Sequence, residues 1–306
     1  MSTTRWKDNT KSNINEAIDL LVDPIPDDDS TSSICRRSWK IEKCFPDNLP
    51  FPFLNLTIEF NMVTFSYERV TTGAEDNIVP QNGFIVVYSF GNSVYYIINK
   101  KTDNKVILRK MLSYGGKNEL DNSSIKADSD FFLWLIKRIY YGDNIIEIND
   151  EDSLVINAIK AFQGDTEDSQ TKLSASGESV MNVISALSFF LESKQLKKVT
   201  IELSYRNHAK IEISIKSDVL DVDTKSYIGE FDSLEPDEKK ARLHLLVYLE
   251  IIPLLIQEYR TDKENDLWNT DRYLEFVVDV ADTIAKKIDQ KKQSISDIGT
   301  PQESTP

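Results

Sequence analysis

The fourteen residues LHLLVYLEIIPLLI, at positions 243–256, constrain the fold of this chain more than any other stretch. Twelve of the fourteen are apolar, and only His244 and Glu250 are polar. A helix built from this segment is apolar on every side, so it must lie in the interior of the protein. Pro253 lacks the amide hydrogen that would bond the Leu249 carbonyl, so we predict that the helix kinks or stops there.

Glu250 is the only carboxylate in this segment, and its helical neighbours three and four residues away are all apolar: Leu246, Val247, Pro253 and Leu254. A carboxylate in such surroundings either finds a partner or takes up a proton. Glu250 is therefore our candidate catalytic residue, as a general acid or base. The structural alternatives are a pair with Arg138 or Arg242, a bond to backbone freed by Pro253, or a place in a subunit interface. We interpret His244 as a core histidine.

The composition indicates an acidic globular protein that we expect to be cytoplasmic. Fifty acids against 36 bases give a net charge of −14, which disfavours nonspecific binding to nucleic acid or to an anionic membrane. The longest apolar run is shorter than the roughly 20 residues that span a bilayer, and no export signal is evident at the start. Cys35 and Cys44 make no disulfide framework, so we expect a reducing compartment with one optional bridge.

The first half of the chain is typical of β-structure. Residues 1–34 hold a short helix at 15–22 and an acidic segment, DPIPDDDSTSS, that we expect to be flexible. Residues 35–118 alternate short apolar runs with turn residues, as an antiparallel meander does. Its predicted strands are 54–60, 63–67, 84–90, 94–98 and 106–112.

The second half, residues 124–290, is typical of helices. Apolar residues recur at helical spacing, with capping residues before them. The predicted helices are 129–141, 150–162, 176–194, one that starts after a Ser233 cap, and 270–288. The sequences KVTIELSY and KIEISIK form one predicted hairpin around His208, which we place in the exposed turn. Residues 291–306 are predicted to be a disordered tail.

These elements define an α+β protein, with a β-meander in the N-terminal half and a helix-rich C-terminal half that holds one hairpin and a central apolar helix. The sequence leaves open whether the two halves share one core. The loop GGKNELDNSS is the predicted seam.

We expect no cofactor and no metal, because the motifs for them are absent. Cys35, Cys44, His208 and His244 are the whole Cys and His inventory, without the close pairs usual in zinc sites. A site for Mg²⁺ or Ca²⁺ made only of carboxylates stays open. The sequence contains no phosphate-binding glycine loop and no Gly-x-Ser-x-Gly elbow. Their absence favours a protein that is not an enzyme.

A basic island interrupts the acidic chain between residues 100 and 117. This stretch contains six bases and one acid, Asp103. We define the basic island as Lys100, Lys101, Lys105, Arg109, Lys110 and Lys117. A sheet face that combines such bases with Tyr95, Tyr96 and Tyr114 could grip single-stranded nucleic acid. The alternatives are lysines that guard a sheet edge, or a basic contact for an acidic partner, including the acidic segments of this protein.

Our leading hypothesis is a non-catalytic interaction or adaptor subunit of a larger assembly, with a protein partner or a second copy of the chain. The alternative is a protein that binds or processes nucleic acid through the basic island. The abundance of Asn, Lys and Ile suits an AT-rich genome, and we expect a protein of a bacterial mobile element or phage-defence system.

Overall fold

A computed structural model describes residues 2–28, 34–71, 77–99, 103–116, 118–149, 152–166, 172–176 and 193–298. Within these ranges the chain is α+β, as the sequence predicts. Its contacts define two compact units. Unit 1 comprises residues 1–126, 207–213 and 218–253, and unit 2 comprises residues 127–206, 214–217 and 254–306.

The strands, in chain order, are β1 (Ser2–Asp8), β2 (Ile34–Lys43), β3 (Leu49–Phe53), β4 (Leu56–Thr71), β5 (Asn77–Phe90), β6 (Ser93–Ile98), β7 (Leu120–Asn122), β8 (Ile145–Glu147), β9 (Ser153–Thr166), β10 (Lys172–Ser176), β11 (Ser193–Tyr205), β12 (His208–Lys216), β13 (Val219–Val222) and β14 (Ile228–Gly229).

The helices are α1 (Ile14–Val22), α2 (Asn104–Met111), α3 (Ser129–Tyr141), α4 (Pro236–Leu246), α5 (Ile252–Glu264) and α6 (Thr270–Ile298). A 3₁₀ turn, Glu230–Ser233, precedes α4, and a π-helical turn, Val247–Ile251, joins α4 to α5.

The sheet of unit 1 is antiparallel, with the order β13-β1-β6-β5-β4-β2. Its β4-β5-β6 part is the predicted meander, and Gly91 takes a φ of 59° in the turn before β6. Helix α1 covers one face of this sheet, because Ile14, Ala17, Ile18 and Leu21 recur at helical spacing and are all buried. The Asn13 side chain caps α1 by accepting from the Asn15 amide at 2.8 Å. The predicted helix at 15–22 is confirmed.

Strand β1 was not predicted, although it lies between β13 and β6 inside the sheet. Its buried residues include the polar side chains of Thr3, Thr4 and Asp8. The Thr3 hydroxyl donates to the Leu220 carbonyl at 3.0 Å and lies 3.0 Å from the Tyr248 hydroxyl. Buried polar groups need such partners, and these partners are remote in sequence.

Two predicted elements have the wrong type. The predicted strand at 106–112 is helix α2, which buries Ile107, Leu108 and Met111 on one side. The predicted helix at 150–162 is strand β9. Register shifts against β11 leave Asn157 and Lys160 of β9 as extra residues, so the buried positions after residue 156 recur every three residues. Two β-bulges thus imitate a helical period.

The hairpin strands of the C-terminal half are confirmed. Strands β11 and β12 flank a turn at Arg206 and Asn207, and Arg206 takes a φ of 48°. The Thr200 and Ser214 hydroxyls lie 2.6 Å apart. His208, which we placed in an exposed turn, is instead buried and lies 2.6 Å from the Tyr227 hydroxyl through Nδ1.

Helix boundaries differ from the predicted ones at two places, the start of α4 and the end of α6. Most of the predicted helix at 176–194 lies outside the described residues. Ser233 ends the 3₁₀ turn, so Glu235, not Ser233, precedes the first residue of α4. Helix α6 continues to Ile298, beyond residue 291, where we expected the tail to begin.

Unit 2 holds α3, most of α5 and α6, together with strands in the order β10-β9-β11, with β8 added to β9. Arg138 of α3 is almost fully buried, with ion pairs to Glu258 at 2.8 Å and to Asp262 at 3.5 Å. The Trp134 indole donates to Asp262 at 2.8 Å. These contacts join α3 to α5. None of the helices in the described part of the chain is long and apolar enough to cross a membrane.

Candidate functional site

Glu250 lies in the π-helical turn, and the residue is 9% exposed. The predicted stop at Pro253 is wrong, because α5 begins at Ile252 and runs through the proline. The Ile252 amide donates to the Val247 carbonyl, five residues back. A turn of this kind widens the helix and is a known way to accommodate an irregularity in the backbone bonding.

The two arginines that we considered as partners of Glu250 are bound to other carboxylates. Arg138 pairs with Glu258 and Asp262, and Arg242 pairs with Glu238 at 2.7 Å. No group of three or more His, Cys, Asp or Glu side chains suited to a metal ion occurs among the residues that the structure describes. A catalytic role for Glu250 stays a prediction of the sequence.

His244 is a core residue on α4. Its Nδ1 donates to the Lys240 carbonyl at 2.7 Å, and its ring meets that of Phe84 edge to face, with centroids 5.1 Å apart. Burial lowers the pKa of His244 to about 4, so the imidazole is neutral at pH 7. This neutral ring belongs to the packing of α4 against β5.

The described bases of the basic island lie on a helix and not on a sheet face. Lys105, Arg109 and Lys110 belong to α2, whereas Lys100, Lys101 and Lys117 lie outside the described residues. The Lys105 ammonium lies 5.5 Å from the Trp6 ring centroid, and Arg109 donates to the Gly116 carbonyl. Since these charges have partners within the chain, the structure adds nothing in favour of nucleic-acid binding, which stays a prediction.

Lys110 forms an ion pair with Asp28, which belongs to the acidic segment that we expected to be flexible. Arg36 on β2 also reaches Asp28, at 3.4 Å. Burial alone would raise the pKa of Asp28, but the bonds from Lys110 and Arg36 outweigh it and lower the pKa. Asp28 of the acidic segment is thus an acidic contact of Lys110 within the chain.

The same segment follows the outer edge of β2, the last strand in the sheet order of unit 1. The Arg36 amide donates to the Asp28 carboxylate at 2.8 Å, and the Ser38 amide donates to the Asp27 carboxylate at 3.0 Å. Side chains that occupy the free amides of an edge strand protect it from pairing with another strand.

A cleft of 370 Å³ opens on the sheet of unit 1. Two rows of cross-strand neighbours form its floor: Lys40, Ser66 and Asn82, and beside them Glu42, Thr64 and Phe84. Lys240 of α4 forms a wall, with its ammonium 5.5 Å from the Phe84 ring centroid and 2.9 Å from Asp237. The cleft presents charges of both signs, and this mixture does not select one class of ligand.

Helix α6 has two apolar faces. The inner face packs within unit 2, where Phe276 and Val280 are buried and the Phe276 ring lies 5.4 Å from that of Tyr140. The Tyr140 hydroxyl also lies 2.7 Å from the Thr283 hydroxyl. The inner face therefore holds α6 on α3.

The outer face of α6 carries four large aliphatic side chains that are 43–59% exposed: Leu274, Val278, Ile288 and Ile295. With Ala281 and Ala285 they recur at alternating steps of four and three residues, a spacing that only Lys292 interrupts. We call this set the α6 stripe. Such a heptad spacing is the seam that one helix presents to another.

Only the inner face of α6 was predicted from the sequence, through Tyr273, Val277, Val280, Ile284 and Ile288. Ile288 in fact belongs to the exposed stripe. The α6 stripe can also be recognised in the sequence, because Leu274, Val278, Ala281 and Ala285 have heptad spacing. It was missed because one face had already been assigned to the core.

No protein-family model matches this chain, and a search of curated proteins finds no match.

Proposed function

We propose that this protein is a non-catalytic interaction subunit that binds a helix of a protein partner on the α6 stripe. The observation that carries this proposal is the exposure of Leu274, Val278, Ile288 and Ile295 at heptad spacing on one helix. Exposed aliphatic side chains are common singly, but a contiguous row of them marks an interaction surface.

The flank of the stripe supports this proposal. Leu274 and Val278 are flanked on the exposed side of α6 by Asp271, Glu275 and Asp279. A row of aliphatic side chains bordered by charged ones is the surface on which an amphipathic helix docks, since the charges stay in water while the apolar row is covered.

The C-terminal part of α6 also favours a partner. Of the eleven residues 285–295, ten are exposed and Lys287 is half-buried. A helical segment this short is only marginally stable in water when nothing packs on it, because packing of an apolar face supplies most of the stability of a helix. A bound helix would supply that packing.

A cytoplasmic location and a role in a bacterial mobile element or phage-defence system complete the proposal. The first is supported by the cysteine content, because two cysteines in 306 residues make no disulfide framework. The second has the amino-acid composition as its only support.

Site-specific photo-crosslinking in the cells that make this protein tests the interaction surface. A photoreactive amino acid at Val278 should give a protein adduct, whereas the same group at Gln293, an exposed position beside the stripe, should not. Absence of an adduct from Val278, or equal adducts from both positions, would contradict the proposal.

A further inference from the structure

We infer that the α6 stripe binds the α6 stripe of a second copy of this chain, with the two helices antiparallel. This inference rests on the proposed function, since it names the occupant of the same surface. It follows from a symmetry of the stripe and from the distribution of charge along the helix.

The central part of the stripe, from Val278 to Ile288, is symmetric about the level of Thr283. Five residues before Thr283 stands Val278 and five after it stands Ile288, while Ala281 and Ala285 lie two residues to either side. A twofold axis that crosses the stripe at the level of Thr283 would therefore place Val278 opposite Ile288 of the second copy, and Ala281 opposite its Ala285. An interface between identical copies needs this self-complementarity.

The two alanines determine how closely such helices approach. Small side chains at the centre of a helix crossing let the backbones come near each other, and larger side chains at both ends then fill the space. The stripe has this arrangement, with Ala281 and Ala285 between Val278 and Ile288. Leu274 and Ile295 extend the apolar row over a length of about 30 Å at 1.5 Å per residue.

The charges of α6 select the orientation. Residues 271–282 contain four acids and one arginine, a net charge of −3, whereas residues 286–292 contain four lysines and one acid, a net charge of +3. Antiparallel packing places the acidic half of one copy beside the basic half of the other. Parallel packing would place like charges side by side, which is unfavourable.

The orientation also has a residue-level consequence. The axis at Thr283 puts Glu275 at the level of Lys291 of the second copy, and Asp279 at the level of its Lys287. Exposed pairs of this kind contribute little to affinity, but they distinguish one orientation from the other. Association should therefore weaken as salt is added.

Sedimentation velocity of the full chain over a concentration series tests the self-association. We expect a species of twice the 35.1 kDa chain mass that dissociates on dilution. The variant V278E/I288E should stay monomeric throughout the series. The matched control Q290E/Q293E has the same change in charge at exposed positions of α6 off the stripe, and it should dimerise like the wild type.

Disulfide formation tests the orientation. Under mild oxidation, a mixture of L274C and K292C chains should give a crosslinked dimer, because the axis places these two positions opposite each other, while neither variant alone should form one beyond the wild-type background from Cys35 and Cys44. Rapid crosslinking within L274C alone would show a parallel pair and overturn the antiparallel arrangement.

A wild-type chain that is monomeric at every concentration, or a dimer that V278E/I288E leaves intact, would overturn the inference. These outcomes separate it from the proposed function. A photo-adduct at Val278 that contains a different protein would support the interaction surface but contradict a second copy as its occupant. Absence of any adduct would contradict both the proposed function and the self-association.

Discussion

The Arg5 guanidinium donates a hydrogen bond to the Tyr248 carbonyl at 3.2 Å, and this carbonyl is one that the helix itself leaves without an amide donor. The amide four residues ahead, that of Ile252, is bound to Val247, and the residue five ahead is Pro253, which has no amide hydrogen. Strand β1 thus supplies the bond that the π-helical turn and the proline remove.

Arg5→Met should lower the free energy of unfolding by about 2 kcal/mol, because the carbonyls of Tyr248 and Ser123 then lose their charged donor. In a Pro253→Ala background residue 253 regains an amide hydrogen, and we expect the same substitution at Arg5 to cost about 1 kcal/mol less. Urea denaturation of the four chains measures this coupling. Lys7→Met on the same strand serves as the control for lost charge, and strictly additive effects of Arg5→Met and Pro253→Ala would refute the relationship.

Asp8→Asn should destabilise the protein by about 3 kcal/mol, because its buried carboxylate accepts several bonds at once. The Tyr96 and Tyr114 hydroxyls both donate to Oδ2 at 2.6 Å, and the Thr10 amide donates to Oδ1 at 2.7 Å. Guanidinium denaturation gives the value. Tyr114→Phe removes only one of the bonds to the carboxylate, together with the bond that the Tyr114 hydroxyl accepts from Thr10, and should cost about 1 kcal/mol. An equal loss in both variants would show that the carboxylate is not the centre of this cluster.

His244→Asn should make stability less sensitive to acid. Burial lowers the pKa of His244 from 6.5 to about 4, so the unfolded chain binds a proton between these values that the folded chain does not. Stability from this residue is therefore present above pH 6.5 and is lost as the pH falls towards 4, by roughly 3 kcal/mol in all. Asparagine retains a donor for the Lys240 carbonyl but does not titrate. Equal pH slopes for the two chains over this interval would contradict the prediction.

Gly83→Ala should destabilise the sheet of unit 1 by about 1–3 kcal/mol, because Phe65 is the cross-strand neighbour of Gly83 and its ring occupies the space of a Cβ atom there. The same change in a Phe65→Leu background should be neutral or stabilising, since the ring is gone and alanine suits a strand better than glycine. Thermal unfolding of the four chains distinguishes these cases. A similar loss in both backgrounds would mean that the clash with the ring is not the cause.

The sequence predicted correctly those elements whose buried residues recur at the regular spacing of a helix or of a strand. Helix α1, the meander and the strands β11 and β12 are of this kind. Strand β1 could not be recognised because Thr3, Thr4 and Asp8 become interior residues only through partners far away in sequence. Strand β9 was mistaken for a helix because bulges at Asn157 and Lys160 altered its period.

The candidate site was predictable only in part. Burial of Glu250 followed from its apolar neighbours, but the π-helical turn depends on how the chain responds to Pro253. The pairing of Lys110 with Asp28 connects two segments that the sequence separates by 82 residues. The α6 stripe was visible as a pattern, but only the structure shows which of the two apolar faces of that helix is covered.

The place of β1 in the sheet has a consequence for the order in which the protein forms during synthesis. This strand leaves the ribosome before its neighbours, and its contact with β13 spans 217 residues, from Thr3 to Leu220. β1 can pair with β6 once residue 98 has been made, but its edge towards β13 stays open until Leu220 and Asp221 follow. Long-range pairing of this kind is slow and exposes strand edges to aggregation, so we expect this chain to depend on chaperones while it is being translated.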